Sequence, residues 1–244
     1  MRKIGPYIRY YIQLPLAKAL APREGMLTYR NIHEDVKKLV ASDDPTVVDG
    51  GSNRGAWIES LLKMYERPVV YAFEPNPESL AIVRKKFAGM ENVKVSEKAL
   101  GSVAGTKSFL LSDNDVSSSF LQRAERSHGT AVTVKGTVQT SIVRLDDEIE
   151  KADVIKLDLE GYELEALKGA ERLLKNTKVV VTEVEFEEIY KGAPLYEDIA
   201  LYLRGKGFSL FNFYDSYTQR DGQLTVADAI FVNRKFIAST TARL

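Results

Sequence analysis

Short runs of β-forming residues, separated by amphipathic segments, constrain this chain more than any other feature. From residue 34, TVVD, PVVYAF, VIKLDL and KVVVTEV alternate with stretches in which apolar residues return at helical spacing. After TVVD, Trp57, Ile58, Leu61, Leu62 and Tyr65 fall on one face, and after PVVYAF, Leu80, Val83 and Phe87 do the same. Parallel strands need a crossover, and the crossover helix must bury its apolar stripe on the sheet, so this rhythm predicts an α/β fold with helices on both faces. EDVKKLVAS reads as a short leading helix and NVKVSEKAL as a third strand, which completes a βαβαβ half. The rhythm resumes at ADVIKLDLEG, followed by a helix with Leu164, Leu167, Ala170 and Leu174 on one face. PLYEDIALYLRGKG reads as a helix stopped by glycine, and FSLFNF and DAIFVN as the last strands, joined by DSYTQRDGQLTV.

Between the two halves, TKSFLLS and TAVTVKGTVQTSIV gather β-formers around the polar DNDVSSSFLQRAERSHG. This predicts a β-rich insertion around residues 104–143, with a polar loop that is a candidate for substrate contacts. DNDVSSS has the opening of a calcium loop but lacks its central glycine and terminal glutamate, so it reads as a polar loop.

The turn in VVDGGSNRGAWIESLL runs from a strand into a helix through Gly51, Ser52, Asn53, Arg54 and Gly55. Small residues let the backbone approach a ligand, and free amides at a helix start favour its polar or negative groups. The spacing G-G-S-N-R-G is not the G-x-G-x-x-G of dinucleotide sites, and no Gly-Lys-Ser or Gly-Lys-Thr closes a phosphate loop.

A D-G-G-x-N-x-G turn after the first strand, with an acidic residue after the second in YAFEPNP, resembles the cofactor site of class I S-adenosylmethionine-dependent methyltransferases. The resemblance narrows at TSIVRLDDEIEKADVIKLDLEGYELEALKGAERLL, where R-L-D-D, K-[IVL]-D-x-E-G-x-E and K-G-A, followed by V-V-T-E-V, look like the FkbM-type methyltransferase family. These matches cover most of residues 46–185. The resemblance implies a Rossmann-like sandwich with a mostly parallel seven-stranded sheet, an antiparallel final strand and the β-rich insertion, all within residues 34–244. It also implies S-adenosylmethionine as cofactor and O-methylation of a hydroxyl on a sugar, polyketide or related small molecule.

By the same resemblance, Glu74 would accept both ribose hydroxyl protons and Asp49 would lie near the methionine moiety. Gly51 and Gly55 would permit the close turn with Asn53 between them, Asn76 would edge the nucleoside site, and Ala99 would frame the adenine. Asp158, Glu160 and Glu183 stand at strand ends, where open α/β sheets place ligands. Asp158 is the first choice for the methyl-transfer centre and is shared with the cofactor site. Glu160, two residues on, faces the same side if the strand continues that far. Glu183 is the third catalytic candidate, and Lys156 pairs with these acids or with substrate. The carboxylates are also compatible with magnesium, which would lower a bound hydroxyl's proton affinity, although spacing alone assigns no metal ligand.

Composition removes other chemistries. Without cysteine there is no disulfide, thiolate nucleophile or cysteine-ligated metal, and with only His33 and His128 no three-histidine site. Both histidines read as packing or loop residues. The 34 basic side chains balance 34 acidic ones, which disfavours nucleic acid as a partner. No apolar run reaches the roughly 20 residues that cross a bilayer, so the protein reads as soluble and cytoplasmic. Residues 1–33 form a basic, tyrosine-containing arm, read as a lid, a packed extension or an interface, and a homo-oligomer is left open. The competing readings are an N-methyltransferase acting on protein, nucleic acid or a small amine, and a noncatalytic binding protein on the same scaffold. Against the first, the fourth strand ends in DLEG rather than the Asn-Pro-Pro-aromatic or Asp-Pro-Pro-aromatic motif of many amino-methyltransferases.

Overall fold

The structure is a computed structural model and describes residues 31–113, 117–124, 132–219 and 221–236. Most of the N-terminal arm, residues 1–30, and the loop histidine His128 lie outside the described residues.

The strands are β1 (Thr46–Gly50), β2 (Val69–Phe73), β3 (Val93–Ser96), β4 (Ala99–Leu100), β5 (Gly105–Ser112), β6 (Val134–Val143), β7 (Val154–Leu157), β8 (Val179–Glu185), β9 (Phe208–Thr218) and β10 (Leu224–Asn233). Seven form one sheet in the order β3-β2-β1-β7-β8-β10-β9. The first five of that order pair in parallel, and β10 is antiparallel to both β8 and β9. The expected architecture is therefore present, antiparallel final strand included.

The helices are α1 (Ile32–Val40), α2 (Ala56–Met64), α3 (Pro77–Lys86), α4 (Leu145–Glu148), α5 (Glu163–Lys168), α6 (Glu171–Leu174) and α7 (Tyr196–Gly205). Successive strand residues point to opposite faces, and the core divides accordingly. Val48, Ile155 and Val180 join Leu167, Leu174 and Leu203, while Val47, Val154 and Val181 join Val36, Ile58 and Val83. Both sheet faces are thus covered, which is why β1 and β7 are buried along their whole length. α3 starts cleanly because Asn76 caps it, its side chain accepting the Glu78 N–H at 3.0 Å, with Pro77 in the first helical position.

The insertion forms a second sheet, β4-β6-β5. Three details differ from the sequence expectation. The third strand stops at Ser96, and Ala99 and Leu100 pair with Ile142 and Val143 of the second sheet. The helix expected across Leu164 to Leu174 breaks into α5 and α6 at Gly169, where a Cβ would stand 2.1 Å from the Gly101 carbonyl oxygen, so the close packing needs the glycine. The last two strands are longer than their apolar runs, the first ending at Thr218 and the second starting at Leu224, with the Gln219 N–H donating to the Gln223 carbonyl between them. Half-exposed edge pairing tolerates polar residues, and that hides strand ends in a sequence. Among the described residues, no helix is long and apolar enough to cross a membrane.

Candidate active site

The carboxyl ends of β1, β2, β7 and β8 open onto a cavity of about 330 Å3. Gly51, Asn53, Glu74, Ala99, Asp158, Glu160 and Glu183 all line it, so strand ends far apart in sequence meet around one space. Asp49, Gly55 and Asn76 support that wall instead of lining it.

The turn after β1 has left-handed backbone at Gly51, Asn53 and Gly55, with φ of 71°, 46° and 76°. At Gly51 a Cβ would lie 1.9 Å from the Asp158 carbonyl oxygen, and at Gly55 it would lie 2.5 Å from Phe87 Cε2. The Gly51 and Ser52 N–H groups both donate to the Phe73 carbonyl, which ties the turn to the end of β2. Glu74 follows and is 5% exposed. One of its oxygens accepts the Asn53 N–H at 2.6 Å and the other the Asn76 N–H at 2.8 Å. Burial pushes its carboxyl up to about 7, with the two backbone donors pulling the other way. Each oxygen keeps a further lone pair for a ligand hydroxyl. The side-chain oxygen of Asn53 and the Ser52 hydroxyl are buried with no hydrogen-bond partner.

Behind this wall stands a buried ion cluster. Asp49 and Lys156 are neighbours across β1 and β7, and the Lys156 ammonium lies 3.4 Å from both Asp49 Oδ1 and Asp158 Oδ2. It also donates to the Gly51 carbonyl at 3.2 Å. Burial alone would lower the lysine's proton affinity, but the charges of Asp158, Asp49 and Asp228 outweigh it, so the ammonium stays charged. Of the two roles read for Lys156, the acid-pairing one is present.

Asp158, Glu160 and Glu183 each bring an oxygen within 4.8 Å of the others. The extended strand does not continue to Glu160 as the two-residue spacing required: β7 ends at Leu157, and Glu160 has a φ of 54° and Gly161 of 91°. A left-handed turn returns the Glu160 carboxylate to the cavity. Burial and the Asp158 charge raise Glu160 to about 8, against a hydrogen bond from Tyr190 and the charge of Arg123. Glu183 is raised well above the ordinary carboxylate range by burial and by Asp158, Glu160, Glu163 and Asp228. Such carboxylates are stronger bases when ionised than an exposed glutamate is.

The insertion supplies the remaining wall. Phe109, Ser118 and Phe120 reach the cavity, and Tyr162 joins them from the turn before α5. Phe120 packs edge-on against Phe109, with centroids 5.0 Å apart, and lies 4.9 Å from Tyr162. The Ser118 hydroxyl accepts from Asn76 Nδ2 at 3.2 Å and so links the insertion to the end of β2. Sequence reasoning named this loop without naming its residues; an aromatic among polar residues, as in SSSFLQR, was the available signal. Tyr190, which bonds Glu160, carried no such signal. His33 packs against Trp57, with ring centroids 5.7 Å apart, and does not line the cavity.

A sequence profile of the methyltransferase FkbM domain matches residues 49–210. The 2-O-methyltransferase NoeI of Sinorhizobium fredii is 24% identical over 230 residues, covering 83% of this chain and 95% of that protein. Methyltransferase sdnD of Sordaria araneosa is 25% identical over 228 residues, covering 79% of this chain and 85% of its own. The hexuronic acid methyltransferase AglP of Haloferax volcanii is 30% identical over 162 residues, 62% of each chain.

Proposed function

The chain belongs to the FkbM family of methyltransferases, and from that premise we propose that it transfers the methyl group of S-adenosylmethionine to a hydroxyl oxygen of a sugar or related polyol. The observation that carries this reading is one cavity lined both by the buried Glu74 carboxylate and by the three converging carboxylates of Asp158, Glu160 and Glu183. Two relatives, one a 2-O-methyltransferase and one a hexuronic acid methyltransferase, support oxygen and sugar chemistry.

The residues fit the cofactor. Buried polar atoms of Ser52 and Asn53 lack partners, and Gly51 leaves no room for a side chain between the turn and Asp158. Glu74 would hold the ribose hydroxyls, the Gly51–Asn53 turn and Asp158 the methionine end, and Ala99 the adenine side. When bound, S-adenosylmethionine supplies a methyl group activated by its sulfonium. The protein's own task is to orient the acceptor and take its proton, because a protonated aliphatic hydroxyl is a weak nucleophile. In this reading Asp158 flanks the reacting centre and Glu160 accepts a hydrogen bond from the acceptor hydroxyl. Glu183 would take the acceptor hydroxyl's proton.

Two measurements test the proposal. Calorimetry with S-adenosylmethionine, S-adenosylhomocysteine and NAD should show saturable binding of the first two alone. Labelled-methyl transfer to a panel of neutral sugars, uronic acids, polyketide alcohols and amines should then place the methyl on oxygen. Methyl on nitrogen, or cofactor binding without transfer to any acceptor, would overturn it. Parallel reactions with EDTA and with added magnesium decide whether a divalent cation belongs among the cofactors.

A further inference from the structure

Glu160 occupies a backbone conformation that residues with a side chain avoid. With φ at 54° it sits in the left-handed region, which costs a non-glycine residue roughly 1–2 kcal/mol. Its carboxylate also faces like charges on Asp158, Glu163 and Glu183, with Arg123 as the nearby cation. Left to itself, the side chain would turn away from them toward water.

Two hydroxyls from other parts of the chain hold it. The Tyr190 phenol donates to Glu160 Oε2 at 2.5 Å, and the Ser119 hydroxyl donates to the Glu160 carbonyl at 2.7 Å. Each donor is itself fixed. Ser119 exchanges backbone hydrogen bonds with Leu110 in both directions, at 2.9 and 3.1 Å, and its oxygen accepts the Leu121 N–H at 3.0 Å. Tyr190 is 2% exposed, its backbone bridges to Arg123, and the Arg123 guanidinium stands 5.5 Å from its ring. Gly161 permits this packing, since a Cβ there would come within 3.2 Å of Leu121 Cδ1 and 3.3 Å of Tyr190 Cβ.

We propose that Tyr190 and Ser119 are positioning residues for methyl transfer, clamping Glu160 so that the carboxylate oxygen not bonded to Tyr190 receives the acceptor hydroxyl. This rests on the sugar O-methyltransferase reading. The insertion thereby contributes to acceptor binding through Glu160, not only by walling the cavity.

The test uses the full chain with Tyr190→Phe, Ser119→Ala, Ser119→Thr, Glu160→Gln and the Tyr190→Phe/Glu160→Gln pair. Tyr190→Phe keeps the ring packed and removes the hydrogen bond to Glu160 together with a longer 3.5 Å contact to the Ser117 carbonyl. Its KM for the sugar that the wild type methylates should rise about tenfold with a smaller change in kcat, while S-adenosylhomocysteine affinity stays within about twofold. The pair should be no worse than Glu160→Gln alone, and Ser119→Thr should recover most of what Ser119→Ala loses. A second readout needs no acceptor. In glutamate labelled with 13C at the side-chain carboxyl, the Glu160 resonance, assigned by its loss in Glu160→Gln, should titrate at higher pH in Tyr190→Phe. An unmoved Glu160 resonance, or an unchanged acceptor KM, would overturn the proposal. A wild type that methylates no sugar would sink the functional reading instead, and the resonance would still decide whether Tyr190 holds Glu160.

Discussion

The Glu74 carboxylate accepts the Asn53 backbone N–H at 2.6 Å, across 21 residues of chain. This bond joins the turn after β1 to the end of β2. Cavity-lining groups from two strands therefore act as one surface, and the same carboxylate both builds that surface and keeps lone pairs free toward the cavity.

Replacing Glu74 with alanine should weaken S-adenosylhomocysteine binding by at least about tenfold in calorimetry. Glutamine should bind between wild type and alanine. It keeps an acceptor oxygen for one of the Asn53 and Asn76 N–H groups, but turns an N–H2 toward the other.

Two glycines with similar backbone separate strain from space. Gly51→Ala and Gly89→Ala both place alanine at positive φ, 71° and 81°, at a conformational cost of about 1–2 kcal/mol. Only at Gly51 does the new Cβ strike backbone, 1.9 Å from the Asp158 oxygen, whereas Gly89 faces open space. Chemical denaturation should show Gly89→Ala near that modest loss and Gly51→Ala well beyond it, with cofactor binding abolished in Gly51→Ala alone.

Lys156→Met should cost about 3–5 kcal/mol in denaturant melts, because it strands the fully buried Asp49 without its counter-charge. Asp49→Asn combined with Lys156→Met removes both charges and should recover part of that loss. A double variant no more stable than Lys156→Met would show that Asp49 is not the group the lysine stabilises.

Stability should fall as pH rises through neutrality. Burial lifts Asp228 to about 6, Glu74, Glu163 and Glu185 to about 7, and Glu160 to about 8. Between the ordinary carboxylate range and these values the folded state binds more protons than the unfolded chain, so the slope of unfolding free energy with pH is negative. Glu165 and Glu171, held low chiefly by Lys168 and Lys206, act below this window, and among the described residues His33, whose imidazole burial pushes down, opposes the trend within it but is outnumbered by the raised carboxyls. The melting temperature of the cofactor-free protein should therefore decline from about pH 5 to pH 8, and a rise over that window would contradict the electrostatics described here.

Methyl transfer should show the reverse trend. Glu160 and Glu183 titrate as interacting groups and serve the proposed reaction when ionised, so kcat/KM should climb across roughly pH 7–9. Glu183→Gln should lower kcat by roughly a hundredfold or more while leaving S-adenosylhomocysteine affinity nearly unchanged.

Local pattern carried most of the framework. Apolar runs such as TVVD and VIKL had to be buried strands, because nothing else in an alternating chain of this kind hides both faces of a strand. The turn at Gly51–Gly55 and the acid at Glu74 were legible because their chemistry is set within a few residues. Asp158 and Glu160 were legible as acids following a strand, and Glu183 was expected to end its strand but lies within β8, which runs on to Glu185; none was legible as a neighbour within 4.8 Å, since Glu160 arrives through a left-handed turn that no spacing rule marks. Tyr190 and Ser119 meet Glu160 from 30 and 41 residues away, and the Lys156 ammonium reaches Gly51 across 105. Periodicity and turn chemistry act over a few residues and can be read along the chain, whereas a hydrogen bond between distant segments exists only once the sheet has set their distance.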